Sequence, residues 1–474
     1  MDYIVAKFGG WANAASDRVK LAADLFEQNK ARRVKVNSAI GKVEDLPKVT
    51  DLLIKAADHA LQHHVMDKEI YKTLKLLHYK VFEPLGLTKQ QIDDTVSILE
   101  TYIKQCQDLS EDYFRALIMG AGEELFSKLD ALYLDQVRGL PARYVDPAEL
   151  GHYLVGHPLD GKVALETYTN LKSLRTNKEI IVYPGFFGID HNGRRMVYSR
   201  GGTDKTAADI AAATDASLYE NWKDVDGVYA ADPRTVKQAS QMQEVTYKEI
   251  RELSYINFKV LHQEAMLPVM KKSIPICLRN LSNQANSGTS IVGSRKLDKD
   301  FPVIGIAHKE NMVFINIEKI LLNEEIGFTN RLLKIFSEHH LNIDQITTGI
   351  DSICLVVDEG EFETKTIYAG VSEQIRHAID PQEFSDYLQK NLDADLINIR
   401  PGKALICVVG EGMRHAVGLL DRIARILAQY NINIEILDQG PSERNVIIGI
   451  DNTEIKDNAK KTVNLLYEEF FFKE

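Results

Sequence analysis

Lys7-Phe8-Gly9-Gly10, Ser38-Ala39-Ile40-Gly41-Lys42 and Arg200-Gly201-Gly202-Thr203-Asp204 share one grammar: each closes a short β-rich run with a glycine turn. The first and third run directly into helical spacing. Glycine lets the backbone approach an anion closely, and the free amides at a helix start carry positive potential. One such turn is ordinary geometry. Three in order, two beside a lysine and one beside Arg200 and Asp204, point to strands that discharge into one crevice suited to phosphate.

The surrounding pattern fits that constraint. Residues 3–8 read as a strand, residues 12–29 as a helix with Val19, Leu21, Ala22, Leu25 and Phe26 on one face, and residues 33–37 as a second strand. From 50 to 139 the chain is mostly helical, broken at Pro84 and Gly86. Inside this stretch Gly120-Ala121-Gly122-Glu123-Glu124 opens a helix, where the two acids serve either the helix dipole or a site. Residues 180–187 read as a buried strand, 196–199 as its hairpin partner and 218–222 as the next strand. Alternating strands and helices over the first 290 residues or so predict an α/β fold with an open, mostly parallel sheet sandwiched by helices. Past Gly288-Thr289 a weak repeat appears: His340-Leu341-Asn342-Ile343-Asp344 is echoed by Asn431-Ile432-Asn433-Ile434-Glu435, each after an amphipathic helix and before an alternating strand.

Composition removes whole classes of function. With 474 residues the chain needs several cores, and 45% hydrophobic with 26% charged residues is the balance of a soluble globular protein. A net charge of −11 disfavours a nucleic-acid surface. The densest basic cluster, Lys30-Ala31-Arg32-Arg33-Val34-Lys35, falls at a helix-to-strand turn and reads as a solvated face. Four scattered cysteines without a CxxC pair predict a reducing, cytoplasmic setting, and no apolar stretch predicts export or membrane insertion. Gly156-His157-Pro158-Leu159-Asp160-Gly161-Lys162-Val163 nearly matches a P-loop, but Val163 cannot ligate magnesium, so an ordinary turn is expected there. The H-R-D and D-F-G elements of protein kinases are absent.

Phosphoryl transfer asks a protein chiefly for alignment and charge cancellation. Lys7 and the glycine amides are candidates for the phosphate. For an acceptor bearing an ammonium and two carboxylates, Glu123 and Arg200 are the candidate partners.

Taken in order, these motifs resemble those of the aspartate kinases, members of the amino-acid kinase family, over nearly the whole chain. The resemblance is carried by Val5-Ala6-Lys7-Phe8-Gly9-Gly10, Lys48-Val49-Thr50-Asp51-Leu52-Leu53, Gly122-Glu123 with Leu125, Ser199-Arg200-Gly201-Gly202-Thr203-Asp204, Asp224-Val225-Asp226-Gly227-Val228-Tyr229 with Asp232-Pro233-Arg234, and Lys259-Val260-Leu261-His262 with Ile274-Pro275-Ile276. It implies an amino-acid kinase-type domain over 1–295, followed by two α+β ACT modules (βαββαβ) over 296–394 and 395–474, with 303–307 adding a strand to the later one. It implies formation of 4-phospho-L-aspartate from L-aspartate and ATP, with Mg2+ held through the nucleotide phosphates, the step that opens the route to lysine, threonine and methionine. Lys7 and Asp204 would be catalytic, Thr50, Glu123, Arg200 and Thr203 would hold aspartate, and Lys7, Gly9, Gly10, Asp224, Tyr229, Arg234 and Lys259 would hold the nucleotide.

In the sensor half, Asn323, Gly327, Phe328, Ile343, Asp344, Thr347 and Thr348 would cradle an amino-acid effector, lysine or threonine, at the interface of a homodimer that could pair further into a tetramer. Asp344 reads equally as a cap. The chain departs from the family pattern at Trp11, Lys223 and Asn257, and a sensor with a weakened kinase half is the alternative reading.

Overall fold

The computed structural model describes every residue except 1, 200, 257–262, 299, 370–371, 454–456 and 473–474, with backbone only at 263, 366–369 and 372–375. It divides into two compact units. The first comprises Met1–Val228, Gln241–Tyr247 and Lys259–Arg295, the second Tyr229–Ser240, Lys248–Phe258 and Lys296–Glu474.

The first unit is built on strands β1 (Ile4–Phe8), β2 (Arg32–Asn37), β3 (Ala142–Tyr144), β4 (Ile180–Pro184), β5 (Leu218–Lys223), β6 (Glu244–Thr246), β7 (Ile276–Asn280) and β8 (Thr289–Val292). Their order across the sheet is β6-β8-β7-β5-β1-β2-β4-β3, parallel throughout except for the antiparallel β7–β8 pair. All five residues of β1 are buried, so helices cover both of its faces, as a parallel sheet requires. The helices that matter for the site are α1 (Ser16–Gln28), α2 (Val49–His63), α3 (Ala121–Leu132) and α4 (Gly202–Ala213). Phe8 packs in one core with Val19, Leu25 and Phe26 of α1, Leu53 of α2 and Phe126 of α3. The near-P-loop proves to be an antiparallel hairpin, Leu154–His157 with Asp160–Val163, and so has no strand-to-helix geometry for a phosphate.

The basic cluster at 30–35 corrects the expectation of a solvated face. Lys30 is exposed, but Arg32 is buried and its guanidinium donates to both carboxylate oxygens of Glu220 at 2.6 and 2.9 Å. Lys35 is wholly buried, with Nζ 2.7 Å from Oδ1 of Asp130, whose other oxygen accepts from Asn37 at 2.8 Å. Both acids come from segments far along the chain, so local charge density could not reveal them. Buried charges persist only when paired in this way.

The second unit holds β9 (Gly305–Glu318), β10 (Gln345–Thr348), β11 (Ser352–Asp358), β12 (Leu396–Val409), β13 (Ile436–Asp438) and β14 (Asn445–Asp451), in the order β10-β11-β9-β12-β14-β13, all antiparallel. The weak repeat is a structural one. Helices α5 (Phe328–Glu338) and α6 (Leu419–Gln429) each start after a glycine in the left-handed region, Gly327 (φ 86°) and Gly418 (φ 82°). His340 and Asn431 take the same left-handed turn after them (φ 52° and 53°). Lys309 then joins Asp344 to Asp358 at 3.0 and 3.1 Å, and Lys403 joins Glu435 to Asp451 at 2.8 and 2.5 Å. The two long strands are shared between the copies. Residues 312–318 of β9 pair with β11, whereas 305–309 pair with 405–409 of β12, beside β14. Among the described residues, no helix is long and apolar enough to cross a membrane.

Candidate active site

Strand β1 delivers Lys7, and the two turns that follow β1 and β2 are pressed together. Gly41 N–H donates to the Gly10 carbonyl at 3.0 Å. A Cβ on Gly41 would stand 2.6 Å from the Gly10 carbonyl carbon and oxygen, so only glycine permits this approach. The third turn begins α4 through Gly201, in the left-handed region (φ 68°), and places Thr203 and Asp204 in its first helical turn. These segments meet around a cavity of about 280 Å³ lined by Lys7, Gly9, Gly10, Thr50, Glu123, Thr203 and Asp204, together with Ser38, Phe186, Ser199, Gly201 and Gly202. Seven residues singled out from sequence therefore share one small polar space. Arg200 and Lys259, and with them Asn257, lie outside the described residues.

Two acids in this cavity are held in opposite states. Burial alone would raise the pKa of Asp204. The charges of Lys7 and Lys223, with hydrogen bonds from Lys7 and Asn221, outweigh it and leave the carboxyl at about 2. Lys7 Nζ lies 2.7 Å from its Oδ1, and Asn221 Nδ2 donates to the same oxygen at 2.9 Å. Asp204 thus stays an anion and cannot serve as a proton donor near neutrality. For Glu123 burial wins. It is pushed up to about 7 despite hydrogen bonds from backbone N–H groups and a long 3.5 Å contact from Ser38 Oγ. Its neighbour Glu124 resolves differently. Arg195 and Lys128 each approach it at 2.7 Å and Tyr102 donates to both of its oxygens, so it is a buried ion-pair hub behind the cavity wall.

Phe186 was invisible in the sequence. Its backbone sits at φ 73°, rare for a bulky side chain, held by Thr206 Oγ1, which accepts from its N–H at 3.1 Å. A Cβ on Gly202 would meet the Phe186 ring at 2.6 Å, which is why the second glycine of the third turn is needed. Trp11 does not line the cavity, and Arg18 lies 4.5 Å above its ring. Lys223, the other departure from the family pattern, adds positive charge beside Asp204 and Asp224.

The expected nucleotide set is less gathered. Asp224 follows β5 in the first unit, while Tyr229 and Arg234 belong to the second. The Arg234 side chain is largely exposed and turned onto its neighbour Asp232 at 2.7 Å. Of the expected effector residues, Thr347 and Thr348 line a cavity of about 340 Å³ with Asn316, Cys354, Arg400 and Glu435. Asp344 instead is engaged by Lys309, Phe328 is buried in a core, and Ile343 packs against that core.

Comparison with known proteins agrees with this geometry. The amino acid kinase family model matches residues 2–280 and an ACT domain model matches 406–470. Aspartokinase 3 of Bacillus subtilis (strain 168) is 34% identical over 469 residues, 98% of each chain. The chain belongs to the aspartokinases of the amino acid kinase family. Among solved structures, the aspartate kinase of Clostridium acetobutylicum, described as an allosteric enzyme, matches with a TM-score of 0.82 at 29% identity, covering 99% of this chain and 100% of that one. Escherichia coli aspartokinase III, solved with aspartate and ADP, has the same fold, with a TM-score of 0.73 at 21% identity over 99% of this chain and 100% of that one. The aspartokinase match runs through both units, and so does not favour a sensor with a weakened kinase half.

Proposed function

We propose that the chain transfers the γ-phosphoryl group of ATP to the side-chain carboxylate of L-aspartate, giving 4-phospho-L-aspartate and ADP. The observation that carries this reading is the convergence of Lys7, Thr50, Glu123, Thr203 and Asp204 on one cavity.

The acceptor carboxylate, with an ordinary pKa of about 3.9, is already ionised near neutrality. No general base is needed. The barrier is repulsion between that anion and a triphosphate, and the protein's task is to cancel charge and fix the line of attack. Lys7, held in place by Asp204, supplies the cation, and the turn at Gly9 and Gly10 lets the phosphates approach the backbone. Glu123, once ionised, pairs with the aspartate ammonium, and Thr50 and Thr203 supply hydroxyls for its polar atoms. Arg200 takes the α-carboxylate, and Asp224, Tyr229, Arg234 and Lys259 take the nucleotide. Magnesium enters with ATP as the counter-ion of its phosphates.

The catalytic domain spans 1–295 in this reading, and two regulatory modules span 296–394 and 395–474. An end-product amino acid, lysine or threonine, acts on the second half, where the loop from Asn323 to Phe328 and the stretches Ile343-Asp344 and Thr347-Thr348 cradle it in a homodimer. Exposed Ile326 and Val417, at matching places in the two copies, are apolar surface of the kind an interface covers.

The test is acyl-phosphate trapping with hydroxylamine, run on purified protein with ATP, magnesium and either aspartate or glutamate. Aspartyl hydroxamate should form at a rate far above the glutamate product. Equal rates on both acids, or none on aspartate, would remove the assignment.

A further inference from the structure

A second cavity in the first unit is larger than the one at the strand ends. It measures about 560 Å³ and lies along the flank of α4, between the hairpin at Asp160–Val163, the helix Leu165–Leu171 and the helix Gln263–Lys271. Its volume falls in the range of small-molecule sites.

The floor is polar but complete. Asp209 is buried, and Tyr168 and Tyr198 donate to its two oxygens at 2.7 and 2.9 Å. Because the Tyr198 hydroxyl donates to Asp209, it accepts from His152 Nε2 at 2.9 Å, leaving His152 Nδ1 to accept from the Tyr183 hydroxyl at 3.0 Å. A ligand gains little by offering polar groups to a floor already satisfied. The walls are apolar, with Val163, Leu165, Leu267 and Pro268, and Leu165 is left 84% exposed. The mouth is cationic. Lys162 and Lys271 stand there exposed, Lys272 beside them is paired with Asp215, and lower down Lys205 pairs with Glu264.

We infer that this cavity binds an amphipathic anion, with an apolar body against Leu165, Tyr168 and Leu267 and a carboxylate or comparable head between Lys162 and Lys271. Long lysines suit this role, since their stems line apolar surface while their charges stay at the rim. Lys205 and Asp209 lie on the same helix that presents Thr203 and Asp204 to the first cavity. Occupancy therefore acts on the helix that positions Asp204, and this coupling, unlike the binding itself, rests on the kinase reading.

The experiment uses the full chain and 8-anilinonaphthalene-1-sulfonate as fluorescent probe, displaced by octanoate or octanol. Saturable binding is expected, with octanoate displacing the probe at least about tenfold better than octanol. The double variant Lys162→Glu/Lys271→Glu, at exposed positions that leave the fold alone, should weaken octanoate about tenfold, a change of about 1.4 kcal/mol. Lys162→Arg/Lys271→Arg should keep the affinity. Unchanged binding in the Glu variant, or equal displacement by octanol, overturns the site. So does a change in sedimentation on Leu165→Asp, which would mark the groove as an interface between copies. Octanoate should also shift the aspartate KM of the wild type and not of the Glu variant. Binding without that shift refutes the coupling alone. A chain that binds octanoate but never turns over aspartate contradicts the proposed reaction and leaves the site standing.

Discussion

The two units place their ion pairs and their exposed apolar side chains differently. In the first, lysine, arginine and carboxylate groups are carried into the interior at the ends and middle of parallel strands, each with a partner from a distant segment. Lys7 with Asp204, Lys35 with Asp130 and Arg32 with Glu220 all have side chains less than 15% exposed. In the second, the ion pairs of Lys309 and Lys403 each reach a partly exposed partner, Asp358 and Asp451, and apolar side chains stand outside: Ile326, Val417, Ile320 and Ile350 are more than 70% exposed. Buried ion pairs are poor devices for stability, because desolvation offsets much of the attraction. Of the three, the pair of Lys7 with Asp204 lines the candidate active site, and that placement marks chemistry. Exposed apolar side chains on paired loops mark a surface meant to be covered.

If that contrast is right, Lys7→Ala should do the most damage. Removing the cation from the transferring phosphate should lower kcat by about 10²–10³-fold. It also leaves Asp204 buried without its closest partner, and unfolding in urea should report a loss of about 3 kcal/mol. A variant with ordinary turnover would mean that the buried pair is only structural.

Next in size is the pH response of Glu123. Its carboxyl is raised from 4.5 to about 7, so the folded, empty protein holds this proton longer than the unfolded chain. Its contribution to stability therefore falls as pH rises from about 4.5 through 7, while affinity for the ammonium of aspartate grows over the upper part of that window. Below pH 7, kcat/KM for aspartate should drop about tenfold per unit. Glu123→Gln should give a lower and nearly flat profile in steady-state kinetics. A wild-type profile level down to pH 5.5 would break the assignment of Glu123 as the ammonium partner.

A smaller, purely steric effect is expected at the junction of the first two turns. Gly41→Ala pushes a methyl group to 2.6 Å from Gly10, and such overpacking costs about 1–3 kcal/mol. Thermal unfolding should show the lowered midpoint, and activity should fall with it as the phosphate turn shifts. The smallest energetic change belongs to the second unit. Ile326→Glu touches nothing in its own core, so stability should change by less than about 0.5 kcal/mol. Sedimentation velocity should nonetheless show a smaller species than the wild type. An unchanged mass with an unchanged midpoint would leave the exposed loops without a function.

What the sequence disclosed follows the reach of each interaction. The glycine turns were legible because φ angles and close approaches are local demands that only glycine meets. Lys7, Thr50, Glu123, Thr203 and Asp204 could be proposed together through the family resemblance, and they line one cavity. The repeat was visible because Asn342-Ile343-Asp344 and Asn433-Ile434-Glu435 keep the same order of apolar and acidic positions. Partners across the sheet were not legible. Nothing near Lys35 announces Asp130, and so a buried cluster read as a solvated one. Phe186 gave no signal, since its left-handed backbone depends on Thr206 and on the missing Cβ of Gly202, both remote in sequence. Glu123 and Glu124 look alike as a pair. The positions of Arg195, Lys128 and Tyr102 separate an ion-pair hub from a group that faces the cavity.

A crystal structure of the full chain with L-aspartate, magnesium and ADP tests the central claim most directly. The aspartate ammonium should lie within about 3.2 Å of Glu123, its side-chain carboxylate should point at Lys7, and the β-phosphate should rest over Gly9 and Gly10. Aspartate bound elsewhere, with Lys7 and Asp204 undisturbed and no phosphate near the glycine turns, would contradict it.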